Sequence, residues 1–169
     1  MATTLTTARL RLVPITLPCT STPTDREAIA RTTSARVPDS WPVEHYDQEV
    51  LDFTRDLLER EPGTEFVLRY LVTRDDPTVI GMVGSSPPDR EGCVVTGYSV
   101  LPDWQRRGYA SEALAGIIDW LRENPAVKVV AADTYPHLIA SIRTMERCGL
   151  TFVGAGEGDG VIRHELPLR

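Results

Sequence analysis

The chain has no apolar run long enough to cross a bilayer. Runs such as residues 127–132 fall far short of the roughly 20 residues that a spanning helix needs. The threonine-rich first ten residues lack the basic start and apolar stretch of a secretory signal, so a cytoplasmic protein is expected. Only three cysteines occur, Cys19, Cys93 and Cys148, and they lie far apart. An odd, scattered set with no C-x-x-C pair argues against a disulfide framework and for free thiols. The three histidines are equally scattered, and His45 opens no H-E-x-x-H pattern, so no metal is expected. Basic charge is short too: 18 Lys and Arg against 24 Asp and Glu leave a net charge of −6. That balance disfavours nucleic acid, which needs a basic face, and favours cationic partners. No internal repeat or low-complexity linker divides the 169 residues, a length that suits one domain over residues 1–169.

Strand and helix signals come in a definite order. Arg9-Leu10-Arg11-Leu12-Val13 alternates polar and apolar as a half-buried strand does. Residues 14–24 are rich in Thr, Pro and Ser and read as a loop. Residues 25–60 are mainly helical. Asp25 is a candidate cap for a first helix, and Val50, Phe53, Leu57 and Leu58 form the apolar stripe of a later one. Residues 65–73, 78–83 and 93–101 follow as three strands of an antiparallel meander. The pattern then switches to a helix over residues 108–122, a continuous apolar strand over 127–132, and a helix over 138–147 closed by Gly149. Two last strands, near 151–154 and 161–166, flank a glycine-rich turn. Strand, helix and continuous apolar strand make a parallel βαβ unit. The expectation is an α/β (α+β) fold with a mixed sheet of about six to seven strands, antiparallel first and parallel across the residue 108 helix.

The chemistry-bearing stretch joins the third meander strand to that helix: Leu101-Pro102-Asp103-Trp104-Gln105-Arg106-Arg107-Gly108-Tyr109-Ala110-Ser111. A helix start has N–H groups without internal partners and a positive dipole end, which together suit a pyrophosphate. Gly108 and Ala110 are small enough for close approach of the backbone, and Arg106 and Arg107 add positive charge. By spacing alone an ordinary capped helix is the better fit. The chain lacks a G-x-x-x-x-G-K-[ST] loop, which counts against another class of phosphate-binding α/β protein.

As a whole the stretch resembles the cofactor motif of the GCN5-related N-acetyltransferases, Gln/Arg-x-x-Gly-x-Gly/Ala. A narrower resemblance, to the ribosomal-protein N-terminal acetyltransferase branch, lies in Thr7-Ala8-Arg9-Leu10-Arg11-Leu12, Trp41-Pro42, Gly97-Tyr98, Tyr109-Ala110-Ser111-Glu112-Ala113, and the residues from Ala140 to Leu150. The resemblance implies a transferase that moves an acetyl group from acetyl-CoA to a primary amine, a protein N-terminus or a small molecule, by direct attack in a ternary complex. It implies that Ser99, Val100 and Leu101 hold the pantetheine arm, with the Val100 N–H on the acetyl oxygen. The phosphates fall on Gln105, Arg106, Arg107, Gly108, Tyr109 and Ala110, with Ser111 close behind. Ser141 matches a serine near the leaving sulfur, although a helical serine bonded to its own backbone reads equally well. Trp41, Glu44 and Tyr46 are candidates for the acceptor side.

Two departures stand out. The family's strand carboxylate is here Val95, and its usual asparagine three residues before the serine is here Leu138. Glu44, His45, Asp47, Glu65 and Glu91 remain as candidate bases. The departures keep open an alternative, a non-catalytic acyl-CoA-binding module on the same fold. A homodimer is the base-rate expectation.

Overall fold

A computed structural model describes residues 2–169. The chain runs β1 (Leu5–Thr6), β2 (Leu10–Pro14), α1 (Arg26–Thr33), α2 (Gln48–Arg60), β3 (Arg69–Thr73), β4 (Val79–Ser85) and β5 (Cys93–Val100). It continues with α3 (Tyr109–Arg122), β6 (Val129–Thr134), α4 (Ile139–Arg147), β7 (Thr151–Ala155) and β8 (Ile162–Pro167). The strands form one eight-stranded sheet in the order β1-β2-β3-β4-β5-β6-β8-β7. Only β5 and β6 pair in parallel, on either side of the α3 crossover. The mixed sheet is as expected, with one strand more than the sequence signals. The extra strand is β1, whose two residues are too short to show a period of two.

Strand alternation splits the core in two. Leu10, Leu12 and Leu71 join Ala113, Leu114, Ile117, Ile118 and Leu121 of α3 and Met145 of α4 on one face. Val13, Tyr70 and Val72 join Ala28 and Ile29 of α1 and Leu51 of α2 on the other. The apolar period of α3 thus reads directly as packing. Each fully buried Leu or Ile in it contributes about 1.5–3 kcal/mol of burial. Gly116 lets α3 lie close to the first turn of the chain, because a Cβ there would stand 2.8 Å from Thr7 Cγ2. That close approach brings Arg9 under the start of α3.

Asp25 does cap α1, accepting the Ala28 N–H at 2.9 Å. Asp47 caps α2 in the same way, accepting from Val50 at 3.1 Å. Gly149, with φ of 89°, follows the end of α4. The three cysteines are free. Among the described residues no helix is long and apolar enough to cross a membrane.

Candidate active site

The sheet opens at its centre. β5 pairs with β4 from Thr96 to Val100, but with β6 only from Cys93 to Val95. Both strands continue past that point, β5 to Val100 and β6 to Thr134, without pairing to each other. Leu101 donates its N–H to Ile80 O at 2.8 Å. Antiparallel alternation therefore turns the main-chain groups of Tyr98 and Val100 away from β4 and into the opening. The Val100 carbonyl accepts from Gln105 Nε2 at 2.8 Å, which ties the following loop back onto the strand.

That loop presents its main chain. No side chain caps α3, where Gly108 occupies the capping position with φ of 81°. Arg106 is also left-handed, with φ of 59°. Among the described residues, the six N–H groups from Arg106 to Ser111 donate no hydrogen bond. Alternating left-handed turns that lead into a helix start make a concavity of N–H donors, the arrangement that accepts anions. Only glycine takes the Gly108 conformation without strain.

Arg9 holds the loop from below. Its Nη1 donates to Arg107 O at 2.9 Å, and its guanidinium lies 4.4 Å from the centre of the Tyr109 ring. Its Nε reaches Glu112 Oε2 at 2.6 Å. Burial works to raise the Glu112 pKa. Hydrogen bonds from Thr7 and from the main chain and side chain of Arg9 outweigh it and hold the carboxyl below its usual range. The sequence around Arg9 shows only a strand. Its place beneath the loop depends on the tertiary approach of β2 to α3.

Across the opening stands Ser141 on α4. Tyr98 donates its hydroxyl to Ser141 O at 3.0 Å, with Ser141 Oγ at 3.3 Å. Burial pushes the Tyr98 pKa up to about 12, so at neutral pH it can donate a proton but not take one.

On the other side of β5 lies a cleft of about 690 Å³. Its walls include Val50, Phe53 and Leu57 of α2, Phe66, Leu68 and Met82, and β5 from Val95 to Ser99. Glu44 and Tyr46 also line it, as do His45 and Glu49. β5 therefore walls the cleft as far as Ser99 and leads, through Val100, into the loop that carries the N–H cradle.

Several expectations need correction. Trp41 does not line the cleft. It is 5% exposed, donates Nε1 to Pro23 O at 3.0 Å, and packs behind Tyr46 with ring centres 5.5 Å apart. Leu101 is buried and its N–H is held by β4, so it offers nothing to a ligand's arm. The Ser99 main chain faces β4 by the same alternation, and Ser99 meets the cleft instead. The Gln105 N–H donates to Pro102 O at 3.2 Å, so the open donors start at Arg106 and run through Gly108, Tyr109 and Ala110 to Ser111. Three candidate bases stand elsewhere. Asp47 caps α2, Glu65 binds Thr3 N at 2.9 Å and Arg69 Nη2 at 3.3 Å, and Glu91 lies on an exposed turn. Glu49 and Phe53 escaped the sequence reading. Phe53 shares the period of a core stripe, yet it is 60% exposed at the cleft.

A family profile described as an acetyltransferase (GNAT) domain matches residues 9–151. The chain belongs to the GNAT acetyltransferase family. Comparison with curated protein sequences gives no match. Solved structures show the same fold. A GNAT-family acetyltransferase from Bacillus anthracis is 14% identical with a TM-score of 0.67, covering 98% of this chain and 99% of its own. A Vibrio cholerae protein described as a ribosomal-protein-serine acetyltransferase is 20% identical with a TM-score of 0.69, covering 99% of each chain. The microcin C7 self-immunity acetyltransferase MccE, solved with acetyl-CoA and AMP, is 14% identical with a TM-score of 0.64, covering 95% of this chain and 93% of its own.

Proposed function

We propose that this GNAT protein transfers the acetyl group of acetyl-CoA to a primary amine by direct attack within a ternary complex. One observation carries the reading: six unpartnered N–H groups follow directly from an opened strand whose end also borders a cleft. The N–H groups from Arg106 to Ser111 would hold the diphosphate, with Arg106 and Arg107 adding charge. The free edge of β5 at Tyr98 and Val100 would take the amides of the pantetheine arm. The Val100 N–H would support the developing oxyanion. Nitrogen attacks the carbonyl carbon, the C–S bond breaks, and the departing thiolate takes a proton. Tyr98 stays protonated at neutral pH and touches Ser141, so this pair is the proton source that the geometry favours. The amine's own proton leaves to water, or to Glu44 or Glu49, the carboxylates of the cleft. Free thiols suit a reducing compartment, and a cytoplasmic site forms part of the proposal.

One observation favours the second reading, an acyl-CoA-binding module without turnover: Val95 leaves the β5 wall without a carboxylate. Thiol release from acetyl-CoA across an amine panel, together with calorimetry of acetyl-CoA, tests both. Release supports transfer. Binding without release selects the second reading, and no binding overturns both.

A further inference from the structure

The geometry points to an acceptor that carries one positive charge on an apolar body, and against polyamines, aminoglycoside-like polycations and acidic amines. This class rests on the acetyl-transfer reading and narrows it.

The cleft holds both its carboxylates at one end. Glu44 and Glu49 stand at the start of α2, and both are exposed. No Arg or Lys lines the cleft, and His45 is its one other titratable group besides Tyr46 and Tyr98. An acidic acceptor would meet Glu44 and Glu49 with no Arg or Lys to answer it, and the imidazole of His45 already stands 3.6 Å from Glu44. Beyond that end the walls are apolar: Val50, Phe53, Leu57, Phe66, Leu68 and Met82. Three of the side-chain hydroxyls there are already engaged, while Ser85 Oγ is buried and has no partner among the described residues. Thr54 donates to Val50 O at 2.7 Å, Thr96 donates to Gly84 O at 2.8 Å, and Ser86 Oγ accepts from Val95 N at 3.0 Å.

A ligand with one ammonium group keeps it near the two carboxylates and lays its body on Phe53 and Leu57. A ligand with three or more ammonium groups must set the others against Val, Leu and Phe side chains. There they lose hydration and find no partner, at a cost of several kcal/mol for each fully desolvated charge. A polyhydroxylated ring meets the same walls with most of its hydroxyls unanswered, since Ser85 Oγ can satisfy only one of them. The volume, about 690 Å³, suits a small molecule or the end of a chain. Phe53, 60% exposed on a helix face, is explained if an apolar body covers it in the complex.

The test measures binding, so it is independent of turnover. Full-length protein saturated with CoA is titrated with 2-phenylethylamine, its neutral isostere 2-phenylethanol, spermidine, kanamycin and glutamate. The apolar amine should bind about tenfold or more tightly than spermidine, kanamycin or glutamate. The double variant Glu44→Gln, Glu49→Gln should weaken the amine about three- to tenfold while the alcohol changes less than about twofold. Phe53→Ala, at an exposed position that folding tolerates, should weaken both. Tighter binding of a polycation overturns the proposal, as does failure of the apolar amine to bind, or equal loss for amine and alcohol in the double variant. Binding of the amine without thiol release would leave this class standing and sink only the transfer reading.

Discussion

Asp25 and Asp47 close the starts of α1 and α2, each accepting a backbone N–H three residues on. Gly108 and Leu138 occupy the same position in α3 and α4 and offer no side-chain acceptor. The two halves of the molecule thus begin their helices in opposite ways. α1 and α2 cover one sheet face, and an aspartate side chain answers one N–H in the first turn of each. α4 also answers part of its need by tightening, with Ser141 N–H donating to Leu138 O at 3.0 Å. Among the described helix starts α3 leaves the longest run of donors open, and it does so where β5 and β6 part company. An uncapped helix start is a cost of about 1 kcal/mol in an isolated protein. It is repaid only if something else accepts those N–H groups.

Breaking the contrast at α3 should have the largest effect. Gly108→Glu forces a side chain into a left-handed position and sets a carboxylate among the N–H donors. Its Cβ would meet only Arg9 Nη2, at an ordinary 3.4 Å, so the fold should survive. Acetyl-CoA affinity by calorimetry should fall about 100-fold or more, through repulsion and blocked approach. Gly108→Ala is the control for backbone strain alone, expected to cost about 1 kcal/mol of stability with a much smaller loss of affinity.

Next in size is the support beneath the loop. Glu112→Gln removes the charge that Thr7 and Arg9 bind. At pH 7 it should cost about 1–2 kcal/mol in chemical denaturation and loosen acetyl-CoA several-fold. The sign follows from the depressed pKa. Glu112 stabilises the fold above the unfolded carboxyl value of about 4.3, and that contribution is lost as pH falls through the lower folded value. Wild type and variant should therefore converge in stability once pH falls below that lowered folded value. A gap that persists there would mean that packing, not charge, holds the loop.

The reverse case sits at α2. Asp47→Ala should cost about 1 kcal/mol of stability and leave acetyl-CoA affinity unchanged, because α2 borders only the acceptor cleft. A loss of affinity equal to that of Glu112→Gln would erase the distinction between capped walls and an open cradle.

Much of this contrast is legible in the sequence. Asp25 stands at the start of a helical segment as a candidate cap, and Gly108 and Ala110 stand where a strand turns into a helix. Both are local signals, carried by residues within one turn of each other. The parting of β5 and β6 is not local. Both segments read simply as strands, and nothing in Val94 or Val130 announces that pairing ends one residue later. Arg9 and Glu112 lie 103 positions apart and meet only because α3 crosses the sheet. Phe53 was hidden by its own regularity. It has the spacing of a core residue, and only its exposure separates it from Leu57, three-dimensionally on the same helix but buried. Trp41 misleads in the opposite direction, since an aromatic beside a proline loop reads as a cleft wall and packs one layer behind it.

The smallest expected effect tests whether the open start of α4 matters. Leu138 has φ of −85° and ψ of 67°, close to the −74° and 73° of Asp25, whose carboxylate caps α1. The backbone at residue 138 is therefore already suited to a capping side chain, and leucine, 41% exposed, supplies none. Leu138→Asn should fill that role. Because Ser141 N–H already donates to Leu138 O, the gain should sit at the low end for a cap, about 0.5 kcal/mol. For a protein of this length that corresponds to a rise of roughly 1–2 °C in Tm. Acetyl-CoA affinity should move by less than about threefold, since the donors that matter lie on α3. A gain of tenfold or more would show that α4 shares the anion site, and the contrast would then run between the two sheet faces and not between α3 and the other three helices.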